Sequence, residues 1–201
     1  MINLLANLIK DHQTYEGKNN QVFDASRLIL KNSKKAISLT HNQKPRQARK
    51  RLRENQELLN KIINITQENP RLRYEGFCNE ALEEYVEAEL YCNYIENGEL
   101  EIPRKLLDFL RGNPEILIGG LADLTGELNR RAVRLASLKK LDQLQDFHEI
   151  SEQIINALLE LNLRGSDRHK FDQAKHNLKN LEKMLYELRL RQTDREIAGL
   201  K

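Results

Sequence analysis

Apolar residues recur along this chain every three or four positions, and no stretch keeps the alternation that is typical of a strand. The clearest pattern lies near the carboxyl end, where spacings of three and four alternate. Such a heptad-like seam must pack against another helix. Its members are Phe171, Ala174, Leu178, Leu181, Leu185 and Leu188. The periodicity predicts a chain that is helical almost throughout.

Prolines mark where these helices begin, because a proline in a first helical turn loses no hydrogen bond. The four prolines are Pro45, Pro70, Pro103 and Pro114. Gly165 gives a further stop before the last helix. Cutting the chain at these points predicts long helices near 20–42, 45–68, 71–97, 114–139, 141–163 and 167–193, with short ones near 103–111 and 2–15. We therefore expect an all-α fold, a bundle of about seven mostly long helices that forms one domain over 1–201.

The composition supports a folded chain without a membrane segment. Hydrophobic residues make up 39% and charged residues 31%, which is too apolar for disorder. The apolar start is short and has neither a basic leader nor a cleavage site, so we expect no signal peptide. No run approaches the roughly 20 apolar residues of a membrane span. Cys78 and Cys92 would lie about 21 Å apart on one helix, too far to pair, so a cytoplasmic location is expected.

A formal charge of +3 conceals a strong asymmetry. The segment from Arg27 to Arg53, called here the basic block, holds ten Lys and Arg and no acid, whereas the rest of the chain has 23 basic and 30 acidic residues. Such a block predicts a polyanionic partner. An isolated lysine such as Lys31 or Lys44 suits a solvated face equally well. The predicted nucleic-acid-binding residues are Lys34, Lys35, Arg46, Arg49, Lys50, Arg51 and Arg53.

Two groups of carboxylates stand out on the predicted helices. Glu80, Glu84 and Glu87 fall within about 60° of one another on one helical face. Asp123 and Glu127, four residues apart, interrupt a segment that is apolar nearly all round and is therefore expected in a core. Buried acids need partners, and carboxylates facing one another in a helical bundle commonly hold metal. All-oxygen ligands favour Mg²⁺ or Mn²⁺.

Simpler interpretations of these acids remain open. The glutamates near position 84 suit a solvated helix face, and Glu127 can pair with Arg130 or Arg131 one turn on. Asp123 has no basic residue within a turn on either side, so an ordinary local ion pair does not account for it.

Several short motifs resemble the translin family, and within it the branch of translin-associated factor X. They occur in the family's order and cover most of the chain. The motifs are Ser33-Lys-Lys-Ala-Ile-Ser-Leu-Thr-His41, Glu84-Tyr-Val-Glu-Ala88, Ala122-Asp-Leu-Thr-Gly-Glu-Leu128, and Leu161-Asn-Leu with Tyr186-Glu-Leu-Arg-Leu-Arg191. The resemblance implies a translin-like fold of seven helices and a homo-oligomeric hollow shell, usually an octamer, that binds RNA or single-stranded nucleic acid inside.

The resemblance also implies Mg²⁺-dependent endoribonuclease activity. Glu84 and Glu87 match the family's Glu-x-x-Glu pair and Asp123 matches its aspartate, so these three are the expected catalytic residues. The expected metal ligands are Glu80, Glu84, Glu87, Asp123 and Glu127. Two departures stand out: Tyr74-Glu75-Gly76 replaces a Phe-His-Arg stretch, and a compact turn over 97–102 replaces a long insertion. The first departure removes the basis for expecting RNA contacts from that turn, and the second suits a stand-alone prokaryotic homologue that forms homo-oligomers.

The function we expect is metal-dependent cleavage of single-stranded RNA. A rival is a non-catalytic nucleic-acid-binding shell, as translin itself is, in which the acids are structural. Another is an all-helical nucleotide pyrophosphatase, because Glu83, Glu84 and Glu87 imitate that family's first acidic motif. Its second motif, Glu-x-x-Asp, is missing, since Asp123 and Glu127 have the wrong order and spacing.

Overall fold

Helix accounts for nearly all of the chain in the computed structural model, which describes residues 2–139, 141, 143–197 and 199. Over these residues no strand forms, which confirms the all-α prediction. The seven α-helices are α1 (Ile2–His41), α2 (Pro45–Glu68), α3 (Gly76–Asn97), α4 (Arg104–Leu110), α5 (Glu115–Ser137), α6 (Leu144–Leu159) and α7 (Gly165–Ile197). A 3₁₀ helix, Pro70–Tyr74, lies between α2 and α3. No described helix is long and apolar enough to cross a membrane.

Helix α1 is longer than the sequence predicts. The predicted break near 16–19 does not occur, because Gly17 weakens a helix without interrupting its backbone hydrogen bonds. Contacts on either side of Gly17 hold this part of the helix. The hydroxyl of Tyr15 donates to a carboxylate oxygen of Glu75 at 3.0 Å, and Lys18 donates to Glu68 at 2.5 Å.

The other helices begin and end close to the positions that proline and glycine predict, with small differences. Pro45 begins α2 in its first turn, as predicted. The segment after Pro70 forms the 3₁₀ helix, so α3 starts at Gly76 and not at 71. Gly98 ends α3 with a φ of 77°, a left-handed conformation that glycine adopts without steric cost, and its N–H donates to the carbonyl of Tyr94.

The chain forms two compact units, Met1–Leu117 and Ile118–Lys201. In the first unit, α1 packs against both α2 and α3 along a stripe of small and branched residues such as Val22, Ala25 and Ile29. Asn55 of α2 crosses this interface and donates to the carbonyl of Ile29 and the hydroxyl of Ser33. The prediction of one domain over 1–201 stays a prediction, since compact units can be parts of one domain.

In the second unit, α6 packs on α7. The predicted seam of α7 is buried at Phe171, Ala174 and Leu181. Asn177 of the same helix donates to the hydroxyl of Thr125 in α5 at 3.1 Å. This amide lies beside Gly126, where a Cβ atom would be 3.4 Å from the Asn177 side-chain nitrogen, an ordinary van der Waals contact.

Candidate functional site

A groove of about 800 Å³ runs between α1 and α2 in the first unit. Its walls carry five cations, two apolar side chains, two acids and two small polar residues. They are Leu28, Lys31, Asn32, Lys34, Lys35, Ser38, Arg51, Glu54, Glu57, Leu58 and Lys61. Arg51 pairs with Glu54 at 2.8 Å, so part of the negative charge is neutralised within the wall. The groove is therefore net basic, with an apolar patch, which suits a ligand that has both phosphate and base.

The structure brings three of the seven predicted nucleic-acid-binding residues into this groove, namely Lys34, Lys35 and Arg51. Helix α1 supplies the two lysines and α2 supplies the arginine. Three other predicted residues are exposed on α2 and do not line the groove. These are Arg46, Lys50 and Arg53.

Arg49, the seventh predicted residue, points its guanidinium at α3. Its Nε donates to Glu96 at 2.9 Å and one Nη donates to the Asn93 side-chain oxygen at 2.6 Å. The other Nη lies 3.8 Å from a carboxylate oxygen of Glu89. Arg49 therefore joins α2 to α3, which is a structural use of a residue in the basic block.

The groove meets the predicted carboxylates at Lys34. The ammonium of Lys34 lies 3.3 Å from Oε1 of Glu84, so one side chain belongs to the groove wall and to the acidic face of α3. Glu84 is half-buried and Glu87, one turn on, is buried, whereas Glu80 is exposed. The α3 part of the predicted acidic set thus lies directly beside the cations predicted to hold nucleic acid.

The acids of α5 have cationic neighbours within their own unit. Lys170 of α7 donates to Oδ2 of Asp123 at 2.5 Å, a partner 47 residues away that no local pattern could show. Glu127 lies 3.5 Å from Arg130, which confirms the local ion pair considered from the sequence. Both carboxylates are partly exposed, so these pairs contribute modestly to stability, on the order of 1 kcal/mol or less.

No three or more His, Cys, Asp or Glu side chains are grouped as a metal site within the described residues. The metal-ligand roles predicted for Glu80, Glu84, Glu87, Asp123 and Glu127 stay predictions.

Burial raises the pKa of the Cys78 thiol to about 11 and that of Cys92 to about 12. Both thiols are therefore neutral and unsuited to nucleophilic attack or metal binding at ordinary pH. His41 is buried, with its Nδ1 3.0 Å from the hydroxyl of Tyr91.

Glu89 is a buried acid of α3 that lies outside the predicted site residues. Only 3% of it is exposed, and burial raises the pKa of its carboxyl to about 7, although Arg49 opposes that shift. The hydroxyl of Tyr85, one turn before it, also opposes the rise in the pKa of Glu89. The signal was present, since Glu89 lies four residues after Tyr85 and three before Cys92, on the apolar arc of α3.

Comparison with solved structures gives close likeness over nearly the whole chain. The crystal structure of apo-NeC3PO has a TM-score of 0.80 and 23% identity, and covers 91% of this chain and 96% of its own. The crystal structure of AfC3PO has a TM-score of 0.80 and 24% sequence identity, and the match covers 93% of this chain and 97% of the AfC3PO chain. The structure of an AfC3PO–duplex RNA complex has a TM-score of 0.79 and 23% sequence identity, and the match covers 93% of this chain and 97% of the AfC3PO chain. At this identity the likeness shows the fold alone, an all-helical fold of the C3PO type.

The translin family model matches residues 17–192, so the chain belongs to the translin family. No curated protein sequence matches significantly. Family membership confirms the resemblance drawn from the motifs. The match leaves out the first 15 residues of α1, residues 2–16.

Glu89 generates a prediction about stability and pH. Its carboxyl has a pKa of about 7 in the folded protein and 4.5 in the unfolded chain, so between these values the folded state binds more protons. The free energy of unfolding should therefore fall as pH rises from about 5 to 7 and then level off. Glu89→Gln should flatten this slope, whereas Glu99→Gln, at an exposed position, should preserve it. Chemical denaturation across this range measures the slope, and equal slopes in both variants would contradict the assignment.

Proposed function

We propose that this chain is a Mg²⁺-dependent endoribonuclease that holds single-stranded RNA in the α1–α2 groove and cleaves it beside the carboxylates of α3. The observation that carries the proposal is the position of Lys34, which lines the groove and lies 3.3 Å from Glu84. The reacting phosphate would therefore be held next to the acids that have to act on it.

The groove supports nucleic-acid binding by its charge. Lys31, Lys34, Lys35 and Lys61 can follow a phosphate backbone without reading its sequence, which predicts binding that tolerates sequence and weakens with salt. A family relative of the same fold, AfC3PO, was solved in complex with duplex RNA, which makes RNA the natural candidate here. We expect a homo-oligomer, as the resemblance implies, with an octamer as its usual form.

The α3 carboxylates fit a divalent cation by donor chemistry and by charge. Their donors are carboxylate oxygens, which Mg²⁺ and Mn²⁺ prefer. Glu84 and Glu87 lie one turn apart on α3, and Glu84 already attracts an ammonium group. In the proposal Glu84 and Glu87 hold the metal, and further ligands join when it binds.

When bound, the metal would activate a water molecule and offset charge on the scissile phosphate. The remaining roles belong to the chain. Lys34 exchanges its contact with Glu84 for the phosphate and so fixes the phosphate's position. Lys35 and Arg51 hold neighbouring phosphates in the groove. Neither cysteine takes part, since both thiols are neutral.

The rival function is a nucleic-acid-binding protein without catalysis. The ion pairs Lys34–Glu84 and Lys170–Asp123 favour it, because each neutralises a carboxylate that the nuclease would use for metal. In that case the same groove binds the strand and the acids serve the fold. Cleavage distinguishes the two functions, since both predict binding.

The groove generates a prediction about salt dependence. Lys34→Ala with Lys35→Ala should weaken binding of a single-stranded RNA oligomer and lower the slope of log affinity against log salt by about 1.4, at roughly 0.7 per lost phosphate contact. The matched control is Arg104→Ala with Lys105→Ala, which removes equal charge from the exposed face of α4. Fluorescence anisotropy in EDTA measures both slopes. Equal losses in the two double variants would show that only net charge matters and that the groove is not the site.

The α3 acids generate the test of catalysis. Glu84→Gln keeps the side-chain shape and removes the charge, so cleavage should fall by orders of magnitude while RNA affinity stays within a few-fold. Glu96→Gln is the matched control, because both side chains are about one quarter exposed, belong to α3 and pair with a cation. It should cleave normally. Product formation from labelled RNA in Mg²⁺ decides the matter. Full activity in Glu84→Gln would remove this residue from the mechanism, and an inactive but RNA-binding wild type would establish the rival.

A further inference from the structure

The exposed face of α1 continues beyond the basic groove toward the amino end of the helix. Phe23, Arg27, Lys31 and Lys34 follow one another at intervals of four, four and three residues, so they share one helical face. The side chains of all four are exposed to solvent. From Phe23 to Lys34 this face extends about 16 Å. An aromatic ring thus stands at one end of a row of cations.

Phe23 is exposed yet held in place. Its ring meets that of Phe77 from α3 at a centroid distance of 5.2 Å and an angle of 86°, an edge-to-face contact that fixes the ring's orientation. Even so, 39% of the residue remains exposed. A fixed, exposed ring loses little conformational entropy when a flat ligand packs against it.

Arg27 gives this ring a cation. Its guanidinium carbon lies 5.8 Å from the Phe23 centroid, near the outer limit of a cation–π contact. So weak a contact leaves the guanidinium able to turn toward a phosphate at little cost. A nucleotide whose base packed on the Phe23 ring would place its phosphate beside Arg27, with the next phosphates toward Lys31 and the groove.

We propose that Phe23 and Arg27 form a stacking site for one unpaired base, which continues the α1–α2 groove and makes the protein prefer single strands. The inference rests on the proposed function, because it adds a position that contacts a base to the groove proposed to hold the single strand. Stacking suits any base, since each has a π-face, so the site adds affinity without sequence preference. A duplex keeps its base faces stacked internally and would meet only the cations.

The site can be tested with ligands that differ only in their bases. The probes are a labelled oligouridylate, an abasic ribose-phosphate oligomer of the same length, and the matching duplex, each measured by fluorescence anisotropy in EDTA at fixed salt. Phe23→Leu keeps an apolar contact with Phe77 and removes the π-face. It should weaken oligouridylate binding by roughly 5- to 160-fold, the range expected for one stacked base. Binding of the abasic oligomer and the duplex should stay within about two-fold of wild type.

Two further variants exclude a general loss of structure. Phe23→Tyr retains the ring and should restore oligouridylate binding. Tyr186→Leu removes a more exposed ring from α7 and should leave all three affinities unchanged. Equal binding of oligouridylate by Phe23→Leu and wild type, or an equal loss for the base-containing and abasic oligomers, would overturn the stacking site. A wild type that binds none of the three probes would instead overturn the proposed function, and the stacking site with it.

Discussion

Burial of α3 among its neighbours is the constraint on which the first unit depends. Between Tyr85 and Cys92 every residue of this helix is buried, and two of the eight are glutamates. A carboxylate taken out of water must acquire a counter-charge or a proton. Glu89 does both in part, since Arg49 faces it across the α2–α3 contact while its pKa rises to about 7. The positions of the cations around α3 follow from the need to neutralise its acids.

That constraint explains why residues of one basic block behave differently. Arg49 is drawn inward by the acids of α3 and joins two helices, whereas Lys35 stays on the groove wall. Lys34 shares both features, because it lines the groove, as Lys35 does, and contacts an acid of α3, as Arg49 does. A cation that can change partners between a carboxylate and a phosphate connects strand binding to the acidic face. In our account, Lys34 moves from Glu84 to the phosphate when RNA binds, and this exchange leaves Glu84 available for the metal.

Much of the fold followed from the sequence because its causes are local. Apolar spacing and proline positions predicted α2, α5 and α7 closely, since period and capping are properties of neighbouring residues. The continuous α1 was missed, because contacts of Tyr15 and Lys18 with distant residues hold it across Gly17.

The candidate site was predictable only in part. Motifs selected the carboxylates, and the family match confirms the resemblance that those motifs carried. The Lys170 partner of Asp123, the inward turn of Arg49 and the groove all require side chains from two packed helices. None of these has a local signal. Glu89 did have one, since an acid on an apolar helical arc implies a buried charge.

The most direct measurement is an anomalous difference map from crystals soaked in Mn²⁺, which tests the ligands and the metal together. Our account predicts a manganese peak on the carboxylate oxygens of Glu84 and Glu87, with Lys34 displaced from Glu84. A map without a peak at α3, with the Lys34–Glu84 contact of 3.3 Å intact at saturating Mn²⁺, would contradict it.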